Sequence, residues 1–238
     1  MKNTTSTEVS KVIHDDDSTR QALWETSYSV AAHGLWPDTP VPFVNKITEA
    51  ATPHFHRLLD CPIGDGKNAP LLMQSSKVFV GCDTSSTALK QAEARLHSVK
   101  SDHSVLLKSN ASQLPFSDGY FDAVFCCDLL GHLPDPLSPI QGLLRTLAVS
   151  GIIVFNVFST EDSVLQDSRM EHVAGRDYVF RDSYFFRFYD EKEVRALAER
   201  LPLEAVTVEH FKWKEPPHAG YREYEHEHAS WVVTGRRV

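Results

Sequence analysis

Sulfur is scarce in this chain: of 238 residues, four are Cys and three are Met. Cys61, Cys82, Cys126 and Cys127 lie in or at the ends of apolar, strand-like runs, and no CxxC pair occurs. That excludes a disulfide framework or a thiolate zinc motif and leaves buried, reduced thiols. A basic excess is also missing. The 24 Lys and Arg are outnumbered by 32 Asp and Glu, giving a net charge of −8. That argues against a broad electrostatic surface for nucleic acid, while a local basic patch stays open. No apolar run approaches the ~18 residues of a membrane span. The first residues carry Asp15-Asp16-Asp17 and no apolar stretch, unlike a signal or transit peptide. A cytoplasmic protein without a membrane partner is expected. No GxGxxG occurs, which disfavours a nicotinamide dinucleotide site.

What is present is alternation. Residues 1–18 are Thr and Ser rich and read as a disordered tail, and 19–238 read as one domain. A helix is expected over about 41–55, with Pro42 in its first turn. Strands are expected at about 57–61, 77–82, 103–108, 121–127 and 152–157. Helices are expected between them at about 67–75, 85–99 and 139–148. In the last, Ile140, Leu143, Leu144 and Leu147 share one stripe, with Ser138 as its cap. The near-continuous apolar run of 152–157 marks a strand covered on both faces. Residues 159–188 turn polar and then aromatic, as a lid or an insertion would. An Asp190-x-x-Glu193 capping pattern opens a helix to Leu201. Two late strands, about 204–213 and 229–234, have no helix between them and predict an antiparallel edge hairpin. The fold class is α/β, a Rossmann-like, seven-stranded, mostly parallel sheet with helices on both faces.

The stretch Arg57 to Asn68 organises the rest. A short apolar run ends in Asp60, and a turn with Gly64 and Gly66 follows. The next strand ends in a second acid, Asp83, about 17 residues past Gly66, with Thr84 beside it. An acid in that place suits the hydroxyls of a ribose.

Four motifs in order now resemble the class I S-adenosylmethionine-dependent methyltransferases. They are Leu59-Asp60-Cys61-Pro62-Ile63-Gly64-Asp65-Gly66, Asp83, Asn110-Ala111-Ser112-Gln113-Leu114-Pro115-Phe116, and Phe121-Asp122-Ala123-Val124 through Leu133-Pro134-Asp135. The resemblance covers about 57–160. It implies S-adenosyl-L-methionine as cofactor, with S-adenosyl-L-homocysteine as product. Asp60 is then set toward the cofactor amine. Pro62, Ile63, Gly64 and Gly66 form the loop at its methionine end, and Asp83 accepts from its ribose. Asn110 and Ala111 face the adenine, and Cys127 lines the methionine side. Pro62-Ile63 departs from the more usual Gly-Cys and removes one loop N–H. Asn110 replaces the usual Asp and keeps an acceptor without the charge.

The acceptor is less legible. A small-molecule methyl acceptor with a nucleophilic N, O or S is the favoured reading. A tRNA-modifying methyltransferase, with Arg176, Arg181 and Arg187 on phosphates, stays open. So does a non-catalytic S-adenosylmethionine-binding regulator. His132 and Tyr28 are the candidate catalytic residues. Tyr28, with Trp24, is also a candidate to close over the cofactor. His226 and His228 alternate on a strand and so face one way, with His218 upstream, but no further ligand stands at fitting spacing and no metal is assigned. No pattern points to an oligomeric state.

Overall fold

The computed structural model describes residues 17–31, 34–51, 54–97, 103–181, 183–218 and 222–238. The expected tail over residues 1–16 lies outside these. Asp17 and Ser18 already belong to a helix, α1 (Asp17–Val30), which periodicity alone did not reveal.

The central parallel sheet follows the alternation. Its strands are β1 (Phe55–Asp60), β2 (Ser76–Asp83), β3 (Ser104–Lys108), β4 (Phe121–Cys126) and β5 (Leu147–Ser159). They lie in the order β3-β2-β1-β4-β5. The chain reverses its direction of travel between β1 and β4. This is the switch point of a doubly wound sheet, where a crevice opens beyond the strands' carboxyl ends. The expected 41–55 helix is instead a 3-10 turn, Pro42–Val44, and one short helical stretch, α2 (Asn45–Thr48). The ladder claims Phe55, which pairs with Ser76 of β2.

The helices are α3 (Ala69–Met73), α4 (Ser86–His97), α5 (Leu137–Thr146) and α6 (Glu191–Glu199). At α5 the cap is not Ser138. The helix starts earlier, and the Asp135 carboxylate accepts from the Leu137 N–H at 2.9 Å. At α6 both arms of the capping box form, Asp190 to the Glu193 N–H and Glu193 to the Asp190 N–H, each at 2.9 Å. Such a box is worth about 1 kcal/mol.

The core has two layers, one on each face of the sheet. One contains Leu59, Cys126, Phe155 and the α5 stripe, and the other Leu58, Phe125, Cys127 and Leu96. Cys126 and Cys127 therefore point to opposite faces, and all four cysteines are buried, free thiols.

The strand count departs from expectation: among the described residues the sheet has ten strands, not seven. The surplus lies in 159–188, an antiparallel meander of β6 (Met170–Ala174), β7 (Asp177–Phe180) and β8 (Tyr184–Tyr189). Its last strand joins the end of β5, pairing Phe188 with Phe158 and Tyr189 with Ser159. The alternating aromatics 178–188 thus have a strand's period, facing Phe158 on one side. The expected edge hairpin forms as β9 (Leu203–Glu215) and β10 (His226–Arg237), with β10 antiparallel to β5. Among the described residues no helix is long and apolar enough to cross a membrane.

Candidate functional site: a cleft at the carboxyl edge

Strand ends build the site. Beyond β1, β2, β3 and β4 lies a cleft of about 950 Å³ including its open mouth. Its wall includes Tyr28, Pro62, Ile63, Gly64, Asp83, Thr84, Asn110, Cys127 and His132, so nine of the sequence candidates converge. Asp60, Gly66 and Ala111 do not line it. Gly66 instead packs on α4, where an added Cβ would stand 3.2 Å from the Ala92 Cα, and its φ is +85°. Its role is close loop-to-helix packing.

The loop after β1 is tied to the end of β2. Asp83 accepts from the Gly64 N–H through one oxygen and from the Ser85 N–H through the other, both at 2.9 Å. Each oxygen keeps a further acceptor site for a ligand hydroxyl. Burial raises the Asp83 carboxyl above its usual range, against the pull of those backbone donors. Asp60 is 1% exposed, and among the described residues neither of its oxygens has a hydrogen-bond partner. Burial, and then the nearby Asp83, push its carboxyl well above the usual range. Cys61-Pro62 is a cis peptide bond. Asn110 caps the turn that follows β3, its oxygen accepting from the Ser112 N–H at 2.9 Å.

Asp128, which the motifs did not single out, also lines the cleft. It holds a left-handed φ of 54°. Asn156 of β5 fixes it from both sides, accepting from the Asp128 N–H at 2.8 Å and donating to its carboxylate at 2.7 Å. A buried Asn inside the apolar run of β5 was the available signal, since a buried amide needs partners.

Helix α1 covers the cleft. Glu25 docks it: the carboxylate accepts from the hydroxyls of Ser85 at 2.7 Å and Thr87 at 2.6 Å, at the start of α4. Those bonds hold Glu25 down at about 2. An acid there also meets the positive end of the α4 dipole. Trp24 packs edge-on to His132 and Tyr184 at ring separations of 4.9 and 5.3 Å. The Ser27 and Tyr184 hydroxyls bond at 2.7 Å, joining α1 to the meander. The Tyr28 hydroxyl accepts from the Trp36 indole N–H at 3.1 Å. Burial and the charges of Asp83 and Asp65 push its proton well above its ordinary pKa.

His132 is buried among Trp24, Phe158 and Phe186. Its Nδ1 lies 2.9 Å from the Phe185 carbonyl, which can only accept, so Nδ1 carries the proton and Nε2 the lone pair. Burial lowers its pKa to about 4.

Two arginines offered to phosphates are engaged elsewhere. Arg187 forms a bidentate pair with Asp177 at 2.6 and 2.7 Å, and Arg176 pairs with Asp190 at 2.9 Å.

A methyltransferase domain family matches residues 59–155. The ubiquinone biosynthesis O-methyltransferase of Thiobacillus denitrificans is 29% identical over 176 residues, 71% of this chain and 69% of that protein. The demethylmenaquinone methyltransferase of Clavibacter sepedonicus is 34% identical over 104 residues, covering 44% of this chain and 42% of that one. Among solved structures, the 1,6-didemethyltoxoflavin-N1-methyltransferase of Burkholderia thailandensis, with its substrate and S-adenosylhomocysteine bound, superposes with a TM-score of 0.60. It covers 100% of this chain and 92% of its own at 15% identity, a likeness of fold alone. Residues 59–155 thus match a methyltransferase domain, and the sheet order around them is the fold of the class I S-adenosylmethionine-dependent methyltransferases.

Proposed function

We propose that this chain transfers a methyl group from S-adenosylmethionine to a nucleophilic N, O or S of a small, planar acceptor. The observation that carries the reading is the pairing of Asp83 with the Gly64 N–H, which makes the ribose acceptor and the glycine loop one rigid unit on the cleft wall. The residues fit the cofactor in two further ways. Asp60 keeps an unpartnered, buried carboxylate beneath the wall, suited to a cationic amine reached through water. Gly64 leaves a space against Tyr28 that any Cβ would fill.

The cofactor supplies a methyl group already activated on a sulfonium, so the protein's work is alignment and exclusion of water. Trp24, Trp36 and His132 offer flat apolar faces to the acceptor. Tyr28 keeps its proton near neutral pH and so donates and positions rather than acting as a base. His132 presents a neutral Nε2 lone pair, which orients an acceptor N–H or O–H and takes up its proton only weakly. The relatives bearing quinone-biosynthesis names, and the neighbour acting on a fused heterocycle, support a ring-bearing acceptor. Buried free thiols suit a reducing, cytoplasmic setting.

The test is an acceptor screen read as S-adenosylhomocysteine release. Turnover is expected with a hydroxylated quinol or a ring N–H compound. Tight cofactor binding with no release for any acceptor would instead support the regulator reading.

A further inference from the structure

The loop between β9 and β10 folds three potential ligands together beside the cleft. Glu215, His218 and His226 place one ligand atom each within 4.8 Å of one another, and all three residues are buried. Three observations raise this above an ordinary polar cluster.

First, the atoms that face inward meet mainly one another. Glu215 gives Oε1 to Lys67 Nζ at 3.1 Å and to the Trp213 indole at 3.0 Å. Its Oε2 and the His218 Nε2 lie 3.0 Å apart without a well-aligned hydrogen bond, and among the described residues the buried His218 Nδ1 has no hydrogen-bond partner. Native interiors rarely leave such groups unmatched.

Second, the outer contacts of the histidines are those of ligands. His226 Nδ1 lies 2.8 Å from the Tyr224 carbonyl and so carries a proton, which leaves Nε2 bare. His228 Nδ1 lies 3.3 Å from the carboxylate of Asp162, itself held by the Ala229 and Val164 N–H groups. A carbonyl or carboxylate behind Nδ1, fixing the ring and its tautomer, is the usual outer shell of a metal-bound imidazole.

Third, the spacings fit a shared ion. His226 Nε2 and His228 Nε2 are 3.1 Å apart, His228 Nε2 and Glu215 Oε2 3.4 Å, and His218 Nε2 and Glu215 Oε2 3.0 Å. Tetrahedral zinc, with bonds of about 2.0–2.1 Å, sets neighbouring ligand atoms roughly 3.3 Å apart.

We propose that Glu215, His218 and His226 form a site for a zinc-class divalent cation, with the His228 imidazole against its edge. Two imidazoles and one carboxylate suit zinc and the late first-row metals better than magnesium or calcium. Its work is structural. It fastens the β9–β10 connection to the cleft wall, which it meets through Lys67 and through the Trp36 ring, 5.3 Å from that of His218. The proposal stands independently of the acceptor's identity. The sequence alone assigns no metal, because no third ligand stands at convincing spacing; Glu215 meets His226 only across the β9–β10 hairpin.

The test uses the untagged full chain. After chelator treatment it is titrated with Zn(II), and separately with Co(II), whose visible spectrum reports tetrahedral coordination. About one equivalent per chain is expected, with a tetrahedral Co(II) spectrum. Glu215→Ala and His226→Ala are each expected to weaken Zn(II) binding at least about a hundredfold, and the exposed-site control His97→Ala to leave it unchanged. S-adenosylhomocysteine affinity, measured on every variant, identifies any that fail to fold, and the Co(II) spectrum of the unmutated chain needs no variant. No stoichiometric metal with that spectrum would overturn the site, as would undiminished binding in folded Glu215→Ala and His226→Ala. In that case a proton, shared between the two Nε2 atoms, holds the cluster together.

Discussion

The hydroxyl of Tyr28 stands 2.8 Å from the point where a Cβ on Gly64 would lie. The covering helix and the loop after β1 are therefore in direct contact. Gly64 also has a φ of +56°, which side chains resist. Gly64→Ala is expected to weaken S-adenosylmethionine binding by about tenfold or more, near 1.4 kcal/mol. Adding Tyr28→Phe removes the clashing oxygen and is expected to restore part of that loss. Calorimetry on the double-mutant cycle checks it; strictly additive losses would contradict the contact.

Asp60 is a buried acid with no hydrogen-bond partner among the described residues. Its folded pKa is raised, so its contribution favours the fold below the unfolded value of about 3.9 and is lost as pH rises through the raised one. Asp60→Asn is expected to raise the thermal midpoint of the ligand-free protein near neutral pH by about 2–4 °C, for roughly 1 kcal/mol. The same change weakens cofactor binding. Calorimetric melting with and without S-adenosylmethionine separates the two effects.

Glu25 pins α1 from a half-buried position, with its pKa held at about 2. A lowered carboxyl stabilises above its unfolded value of about 4.3 and loses that contribution as pH falls toward 2. Glu25→Gln is expected to loosen α1 by no more than about 1 kcal/mol, since solvent screens the site. Faster amide exchange confined to α1, with β1 and β4 unchanged, is the expected signature.

The proposed donor side could be read from the sequence because its residues sit at strand ends, at spacings set by the strand-loop-helix repeat. Asp83 and Gly64 meet because β1 and β2 are neighbours. The proposed acceptor side and the proposed cation site were not legible, because distant segments build both. Asp128 depends on Asn156, His132 on the Phe185 carbonyl, and Glu215 meets His226 only once the hairpin closes. Helix α1 was missed because it is half polar. It is held by one carboxylate and two aromatics rather than by an apolar stripe.

His132 sits at about 4 and remains neutral above that. The pH profile of kcat/KM is therefore expected to lack an imidazole inflection between about pH 5.5 and 7.5. His132→Gln, which keeps a polar group, is expected to affect KM for the acceptor more than kcat. An inflection near pH 6.5 that vanishes in His132→Gln would assign it a general-base role instead.

The central claim is that Asp83, locked to the Gly64 N–H, is the cofactor's ribose acceptor. Calorimetric titration of S-adenosylmethionine into Asp83→Ala tests it most directly. At least a tenfold loss of affinity is predicted, about 1.4 kcal/mol or more. An affinity equal to that of the unmutated chain, in a variant that still folds, would contradict it.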